Sequence, residues 1–450
     1  MDNNPITDIQ YLVNTLLGEI NSLKKEVAFL RKENAELRDK LSHYEHPKSS
    51  SNSNLPPSKD SIGKPKNLRE PSSRPSGGQK GHQGTTLTFQ TPDKIELLFP
   101  HYCQHCGKTL SEVEGQIAES RQQIDLPLVQ PIVTEYRTVN KICTCGHVCH
   151  GSFPKEVSSS IGYGPNIHAL VGYLSVCQHI PFKRLTVLLK DFCHLPISQG
   201  TVQNILCRLE KRTYPAYQAI RQLLSIALVV GVDETSTNIN GKNRWSWVFQ
   251  NNKATYITSA RSRKKEVFTD VMPNGMPFST LVADCYAAYF SQNIKTLQTC
   301  IAHLLREIKY LAEIYPDDIW HKQLFTLLLQ ALQARKNSSR IIDATSFIDE
   351  LDKLINQSID GNYPKCKTLQ KRLKKYKNHI FVFLQDPRVP PDNNASERAF
   401  RVFKIKQKVS GFFKSDNGAQ RFAQIHSIAD TARKNSQSAL LALHVAAINF

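Results

Sequence analysis

Two short apolar segments that each lead into an aspartate constrain the fold of this 450-residue chain most strongly. The first, SIALVVGVDETS, has no helical periodicity, which predicts a buried central strand ending at Asp233. The second, PFSTLVADCYAAYF, predicts another strand, ending at Asp284. Between them, asparagine-containing turns at 240–241 and 251–252 separate two further strands. If the Asp284 strand lies parallel beside the first, the two carboxylates emerge at neighbouring strand ends.

Three antiparallel strands followed by a strand parallel to the first is the order of a ribonuclease-H-like fold. Two adjacent carboxylates there are the oxygen ligands that Mg2+ binds. A third is expected in PPDNNASERAFRVFKIKQK, where Pro390 and Pro391 precede a helix that begins near Asn394 and has Glu397 in its first turn. Asn394 and Glu397 also match a capping box, which would give this glutamate a structural role, and the two roles are compatible.

Basic residues recur on the predicted helix beyond Glu397. Arg398, Arg401, Lys404 and Lys408 are spaced three or four residues apart, so a continuous helix would place them in one stripe. Such a stripe is usually a solvated surface, but beside a metal site it would bind DNA phosphates. The chain has 58 Lys and Arg against 39 Asp and Glu, a net charge of +19, which is typical of nucleic-acid-binding proteins and also suits a basic scaffold.

A heptad repeat from 9 to 41 predicts a coiled coil within a domain at 8–46. β-branched residues dominate one core position and leucine the other, which favours a parallel dimer. Three glutamates that each precede a basic residue by five positions would form interhelical ion pairs. An amphipathic helix packed on the chain's own core is the alternative. The predicted dimerisation residues are Leu16, Leu23, Leu30, Leu37 and the register-fixing Asn34.

Residues 47–92 are rich in Ser, Pro, Asn, Gly and Lys, which predicts a disordered basic linker. Its seven Lys and Arg would let it lie along phosphates, and a linker that only adds solubility is equally compatible.

Two cysteine pairs predict a structural zinc site in a module at 93–155. YCQHCGKTL contains a CxxC, whereas ICTCGHVCH contains the tighter CxC, so His147 and Cys149 are alternative ligands. A redox disulfide is the other interpretation, although nothing places this CxxC on a thioredoxin-like βαβ unit. The predicted zinc ligands are Cys103, Cys106, Cys143 and Cys145. Other cysteines lie singly in apolar helical segments and are expected to be reduced core residues.

Helical patterns across 160–222 end in ISQGTVQNILCRLEKR, where Ser198 or Thr201 would cap a helix with Gln203, Asn204 and Arg208 on its polar side. This would fit a helix-turn-helix that binds DNA, and ordinary helical packing is the alternative. The chain has no run of 18 apolar residues and a polar start, which predicts a cytoplasmic protein without membrane contact.

VDETS, DCYAAY and DNNASERAFR, with NGKNRWSWVF and CIAHLLREIKY between them, resemble the transposases of the insertion sequence 66 family, and the resemblance covers nearly the whole chain. It implies a multidomain protein in which a leucine zipper, a linker and a zinc-binding module precede an α/β ribonuclease-H-like DDE core. The helical segment predicted from its own pattern lies between the zinc-binding module and this core. We assign the core to 223–410, with a helical insertion at about 305–385, and a carboxy-terminal helical extension to 411–450. CxC in place of CxxC, and Cys285 where glycine is common, depart from the family pattern.

The resemblance implies that Asp233, Asp284 and Glu397 are the catalytic triad and bind Mg2+ or Mn2+, with His303 and Arg306 close by and in contact with DNA. Cys300 and His303 are expected to be a buried thiol and a hydrogen-bonded imidazole rather than metal ligands. The implied enzyme binds double-stranded element ends and target DNA as a homodimer or larger assembly, with or without accessory proteins of the same element. A non-catalytic zinc-containing DNA-binding regulator, and a ribonuclease-H-like nuclease or resolvase, are the alternatives.

Overall fold

The computed structural model describes residues 5–45, 47–49, 52–53, 88–126, 129–154, 157 and 159–448. Most of the predicted linker, residues 54–87, lies outside the described residues. The helices are α1 Pro5–Glu45, α2 Pro165–Gly172, α3 Phe182–Cys193, α4 Gln199–Ser225, α5 Glu266–Val271, α6 Ile301–Ile314, α7 Trp320–Asn337, α8 Thr345–Asn356, α9 Pro364–Tyr376, α10 Val382–Gln385, α11 Asn394–Ser410, α12 Asp416–Lys434 and α13 Ala439–Ile448. The strands are β1 Asn140–Ile142, β2 Val148–His150, β3 Val229–Ile239, β4 Lys242–Gln250, β5 Thr255–Ala260, β6 Met276–Ala283 and β7 Ile294–Thr299.

A five-stranded mixed sheet in the order β5-β4-β3-β6-β7 forms the centre of the molecule. β3, β4 and β5 are antiparallel, and β6 lies parallel beside β3, so the predicted strand order is confirmed. Asn240 and Gly241 both have positive φ (48° and 75°), as a tight hairpin turn requires.

The predicted end of the first strand at Asp233 is wrong. β3 continues to Ile239, because residues 231–239 all pair with β4, whereas pairing with β6 stops at Gly231. Asp233 therefore lies just beyond the point where β3 and β6 separate. β7 was not predicted, and it pairs in parallel with β6.

α12 covers the edge strand β5. The backbone N–H groups of Thr255, Ile257 and Ser259 donate to α12 side chains, at 3.1 Å to Thr431 Oγ1, 2.9 Å to Ser427 Oγ and 2.9 Å to Gln420 Oε1. These three N–H groups lie on the outer edge of β5, where no neighbouring strand of the described residues is present to accept their hydrogen bonds. The carboxy-terminal helices consequently share one hydrophobic core with the sheet and with α2 to α4.

The helices α6 to α10 lie between β7 and α11, in the region where a helical insertion is expected, and they enclose a second core. Buried Gln298 of β7 ties this insertion to the sheet. Its Nε2 donates to Ile380 O at 2.9 Å, and its Oε1 accepts from Phe383 N at 2.9 Å.

The amino-terminal region contributes a 41-residue helix, α1, and the short antiparallel hairpin β1–β2. The apolar heptad residues of α1 that the structure describes are about half exposed, for example Leu16 at 49% and Leu23 at 59%. After α1, Asn52 is buried and its Nδ2 donates to Glu313 Oε2 of α6 at 2.6 Å. Across the described ranges, no helix is both long enough and apolar enough to span a membrane.

Candidate active site

Two aspartates lie near the point where the parallel strands β3 and β6 separate. Asp233 Oδ1 accepts a hydrogen bond from Glu234 N at 2.9 Å. Asp284 is the residue that follows β6, and its Oδ1 accepts from Tyr286 N at 2.9 Å. The charge of Asp284 raises the pKa of Asp233, so the two carboxylates are near enough to interact, although Asp233 lies within its strand rather than at its end.

Negative charge is concentrated around Asp233. Burial, followed by repulsion from Glu234 and Asp284, raises its pKa well above the usual range of a carboxyl group. Burial and then Asp284 also raise the pKa of Glu234 to about 7, against the opposing effects of Tyr289 and Arg263. Three acidic side chains thus interact at a partly buried site, where a bound cation would relieve their repulsion.

Among the described residues, Arg263 is the positively charged side chain that lies beside both Glu234 and Asp284. Its guanidinium forms an ion pair with Glu234 and lies 3.8 Å from Asp284 Oδ2. It also lies over the ring of Tyr286, 4.1 Å from the centroid. On the other side of Glu234, the Tyr289 hydroxyl donates to the carboxylate.

Sequence reasoning missed Glu234, Arg263 and Tyr289. Arg263 lies in the polar run SARSRKK, where it is one of several basic residues, and no spacing links it to the aspartates. The sequence singles out Glu234 only as the neighbour of Asp233, and the strand was expected to end at Asp233.

Glu397 lies in the first turn of α11, but not in a capping box. The helix is capped by Asn393, without a side-chain capping bond, and the Glu397 carboxylate faces α6 instead. Arg306 donates to it through two nitrogens, at 3.0 and 3.3 Å, and His303 Nε2 lies 3.1 Å from Oε1. These contacts explain the local role of Glu397 better than capping does.

The charges of this cluster reinforce one another. Burial alone would raise the pKa of Glu397, but the hydrogen bonds from His303 and Arg306 outweigh it and lower the pKa to about 2. Burial likewise opposes protonation of His303, yet hydrogen bonds with Cys300 and Glu397 raise its pKa to about 11. Glu397 is therefore an ionised carboxylate held between two cations.

A close approach of α11 to β3 positions Glu397 relative to Asp233. Asn393 Nδ2 donates to Val232 O at 2.7 Å, and Ser396 Oγ donates to Asn393 Oδ1 at 2.6 Å. A Cβ at Gly231 would lie 2.7 Å from Ser396 Oγ and 2.8 Å from Asn393 Oδ1, which is closer than real contacts. Glycine is therefore needed at 231 for the helix to approach the strand so closely.

The three predicted carboxylates are not drawn into one tight cluster. Within the part of the chain that the structure describes, they do not form a group of three ligand atoms within 4.8 Å of one another. Asp233 and Asp284 interact directly, whereas Glu397 is turned towards Arg306 and His303. His303 lies close to both parts of the site. It contacts Glu397, and its positive charge also lowers the pKa of Asp233.

The four residues of the predicted basic stripe on α11 differ in exposure. Arg398, Arg401 and Lys408 are exposed. Lys404 is half-buried, and its Nζ donates to Ser236 O at 2.6 Å, which fixes it to β3.

The predicted zinc cysteines form two similar turns. Cys103 N donates to Lys108 O and Cys143 N to His147 O, each at 2.8 Å, and a positive-φ glycine follows each pair. Backbone N–H groups, those of Cys106 and His105 first, lower the pKa of Cys103, and that of Cys145 lowers the pKa of Cys143. Among the described residues, neither pair belongs to a group of three ligand atoms that all lie within 4.8 Å of one another.

The fold and site agree with a DNA-processing enzyme, and comparison with known proteins identifies the family. The sequence model described as Transposase IS66 family matches residues 161–421, which is more than half of the chain. The protein therefore belongs to the IS66 transposase family. A search of curated proteins found no match.

Proposed function

We propose that this transposase cleaves and joins DNA by metal-dependent phosphoryl transfer, with Asp233, Asp284 and Glu397 as its catalytic carboxylates on a ribonuclease-H-like core. One observation carries the proposal: Asp233 and Asp284 lie where the parallel strands β3 and β6 separate, and burial, followed by repulsion from Glu234 and Asp284, raises the pKa of Asp233. Asp233 accepts a hydrogen bond from the backbone N–H of Glu234 and has no ion pair among the described residues, which suits a cation-binding site rather than a structural ion pair.

The donor set fits a hard divalent cation. Asp233 and Asp284 offer carboxylate oxygens. A bound divalent cation would offset the repulsion that makes it unfavourable for both carboxylates to be ionised. Bound Mg2+ or Mn2+ would activate the attacking water or DNA 3′-hydroxyl and stabilise the leaving oxygen of an in-line displacement.

The protein's own residues would prepare this site. Arg306 and His303 keep Glu397 ionised and fix its orientation, so that it is available as the third carboxylate. Arg263 balances Glu234 and Asp284 when no DNA is bound. Exposed Arg398 and Arg401 lie on the same helix as Glu397 and would bind DNA phosphates beside it.

The remaining modules would bind DNA and assemble the enzyme. Gln203, Asn204 and Arg208 are exposed on α4, which Ser198 caps by accepting from Thr201 N at 3.1 Å, so α4 is suited to enter a DNA groove. We further propose structural Zn2+ at the two cysteine turns, dimerisation through α1, and double-stranded element ends and target DNA as ligands. Accessory proteins of the same element remain candidate partners.

Active-site substitutions test catalysis. Purified protein is incubated with candidate element ends and Mg2+ or Mn2+, and nicks are mapped. Asp233→Asn and Glu397→Gln should reduce cleavage by several orders of magnitude while DNA binding persists, because each removes a charged ligand but preserves shape. Asp352→Asn, which disturbs an ion pair with Lys377 in the insertion, is the control and should cleave normally. Unchanged cleavage by the first two variants would refute the site and favour a non-catalytic regulator.

Strand joining separates a transposase from a nuclease or resolvase on the same fold. Labelled element ends should insert into a target plasmid in a reaction that a chelator abolishes. Cutting without insertion would support the nuclease, and trapping of a covalent protein–DNA intermediate would contradict the proposed mechanism, which needs no protein nucleophile.

A further inference from the structure

A second group of ligating side chains lies in the helical insertion, away from the carboxylates discussed so far. Asp318 precedes α7, His321 lies in the first turn of α7, and Cys366 lies in the first turn of α9. Each offers one ligand atom, and the three atoms lie within 4.8 Å of one another. Among the described residues, this is the one such group with three members.

The distances in this group are close to those of a metal site. Asp318 Oδ2 lies 2.9 Å from His321 Nδ1 and 3.5 Å from Cys366 Sγ. Ligand atoms around a tetrahedral zinc ion with bonds of about 2.0 to 2.3 Å are separated by roughly 3.3 to 3.6 Å. Small movements of side chains would therefore suffice to hold an ion between them.

Burial also points to a ligand. Asp318 is 7% exposed, His321 is 1% exposed and Cys366 is 0% exposed, and Cys366 belongs to the second core. His321 Nδ1 faces Asp318, so an ion at this position would be bound through Nδ1, and Nε2 would stay without a partner in the described part of the chain. Three ligating side chains that are buried around one point are therefore the observation that indicates an ion.

We propose that Asp318, His321 and Cys366 form a zinc site, here called the insertion site, that fixes the α6–α7 turn to α9. A carboxylate, a thiolate and a neutral imidazole together balance the charge of Zn2+, so the ion can be held in a buried position. Mixed nitrogen, sulfur and oxygen ligands suit zinc, whereas Mg2+ prefers oxygen alone. The site is separate from the cysteine turns and from the catalytic carboxylates.

Cobalt binding tests the insertion site on the full chain. In the background variant, Cys103, Cys106, Cys143, Cys145 and Cys149 are all replaced by serine, which removes the exposed cysteine turns. After metal removal, Co2+ should bind and produce a thiolate-to-cobalt charge-transfer band that saturates at one equivalent per chain. Co2+ bound by carboxylate oxygens alone produces no such band, and the thiols near the catalytic carboxylates, Cys285 and Cys300, are controlled for by the Cys366→Ser variant, which keeps both.

Adding Cys366→Ser should abolish the band, whereas adding Cys193→Ser, which alters another buried thiol in α3, should leave it unchanged. Absence of the band in the background variant, or its persistence after Cys366→Ser, would overturn the proposal. If the Cys366→Ser protein does not fold, zinc X-ray absorption of the background variant decides: one sulfur neighbour at about 2.3 Å supports the site, and none refutes it.

Discussion

At the scale of single residues, the Arg306–Glu397 pair shows how an ion pair can serve geometry as well as charge. Arg306 approaches the carboxylate with two nitrogens, which fixes the plane of Glu397 as a lysine could not. The side chains are 17% and 32% exposed, so the pair is neither fully buried nor freely solvated. Its value to the protein therefore lies mainly in orientation, since partly exposed ion pairs contribute little stability.

Arg306→Lys keeps the positive charge but removes the planar fork. We expect cleavage of element ends to fall on the order of 100-fold, because a misplaced catalytic group loses about that much rate. Thermal stability should change little. Arg421→Lys, which alters a comparably buried pair with Glu210 between α12 and α4, is the matched control and should retain cleavage. Equal losses in both variants would show that Arg306 has only a structural role.

His168 is a residue whose effect depends on pH. It is 3% exposed, neither ring nitrogen has a described partner, and burial followed by the charge of Arg212 lowers its pKa to about 4. Above pH 6.5 the ring is neutral in both folded and unfolded chains, so it contributes no pH dependence. Below that pH the unfolded chain binds the proton first, so stability falls until the folded protein also binds it near pH 4.

Replacing this histidine should therefore reduce the sensitivity to acid. Between pH 7.5 and 5, His168→Gln should lose about 2 kcal/mol less unfolding free energy than the wild type, as urea unfolding would measure. Exposed His101→Gln serves as the control and should follow the wild type. An unchanged pH dependence in His168→Gln would contradict the expectation.

At the scale of elements, α12 acts as a substitute strand for β5. Three successive outward N–H groups of β5 each find a side-chain oxygen on α12. The helix thereby protects an edge that would otherwise pair with another chain. Sequence reasoning placed this helix in an extension, because nothing in its composition shows which strand it covers.

Ser427→Ala tests this edge protection, because it leaves buried Ile257 N without an acceptor. The unfolding free energy should fall by about 1 to 3 kcal/mol, measured by urea denaturation. Ser225→Ala removes an exposed hydroxyl that bonds only within α4 and should cost less than about 0.5 kcal/mol. A negligible effect of Ser427→Ala would mean that water replaces the hydroxyl at this edge.

The elements that the sequence predicts well are those with a local cause. Asn240-Gly241 fixes a hairpin, and the apolar run before Asp233, which lacks helical periodicity, predicts a buried strand. β7 was missed because IKTLQT has neither a continuous apolar run nor a strict alternation, and because it contains buried Gln298, whose partners lie in the distant insertion. Arg263 was missed for the same reason: its role depends on tertiary contacts with Glu234 and Tyr286, and no local pattern encodes them.

At the scale of the whole molecule, α1 lies outside both the region that matches the family and the two hydrophobic cores. The match begins at residue 161, and no described residue of α1 belongs to either hydrophobic core. Its apolar heptad side chains are instead about half exposed along a 41-residue helix. Such a stripe is costly in water, so a partner that covers it is expected. Because the core does not depend on α1, assembly and folding can be disturbed separately.

Leu23→Lys combined with Leu30→Lys places two charges in the predicted seam. We expect the mass in sedimentation velocity to fall from twice 50.9 kDa to the 50.9 kDa of one chain, with an unchanged unfolding temperature of the core. Ser22→Lys with Phe29→Lys adds the same charge one residue away, outside the seam, and should remain dimeric.

If both double variants stay dimeric, another surface joins the chains. If wild type is already monomeric, α1 packs elsewhere or needs DNA to pair. Loss of strand joining in the first variant alone would then tie the active assembly to this helix.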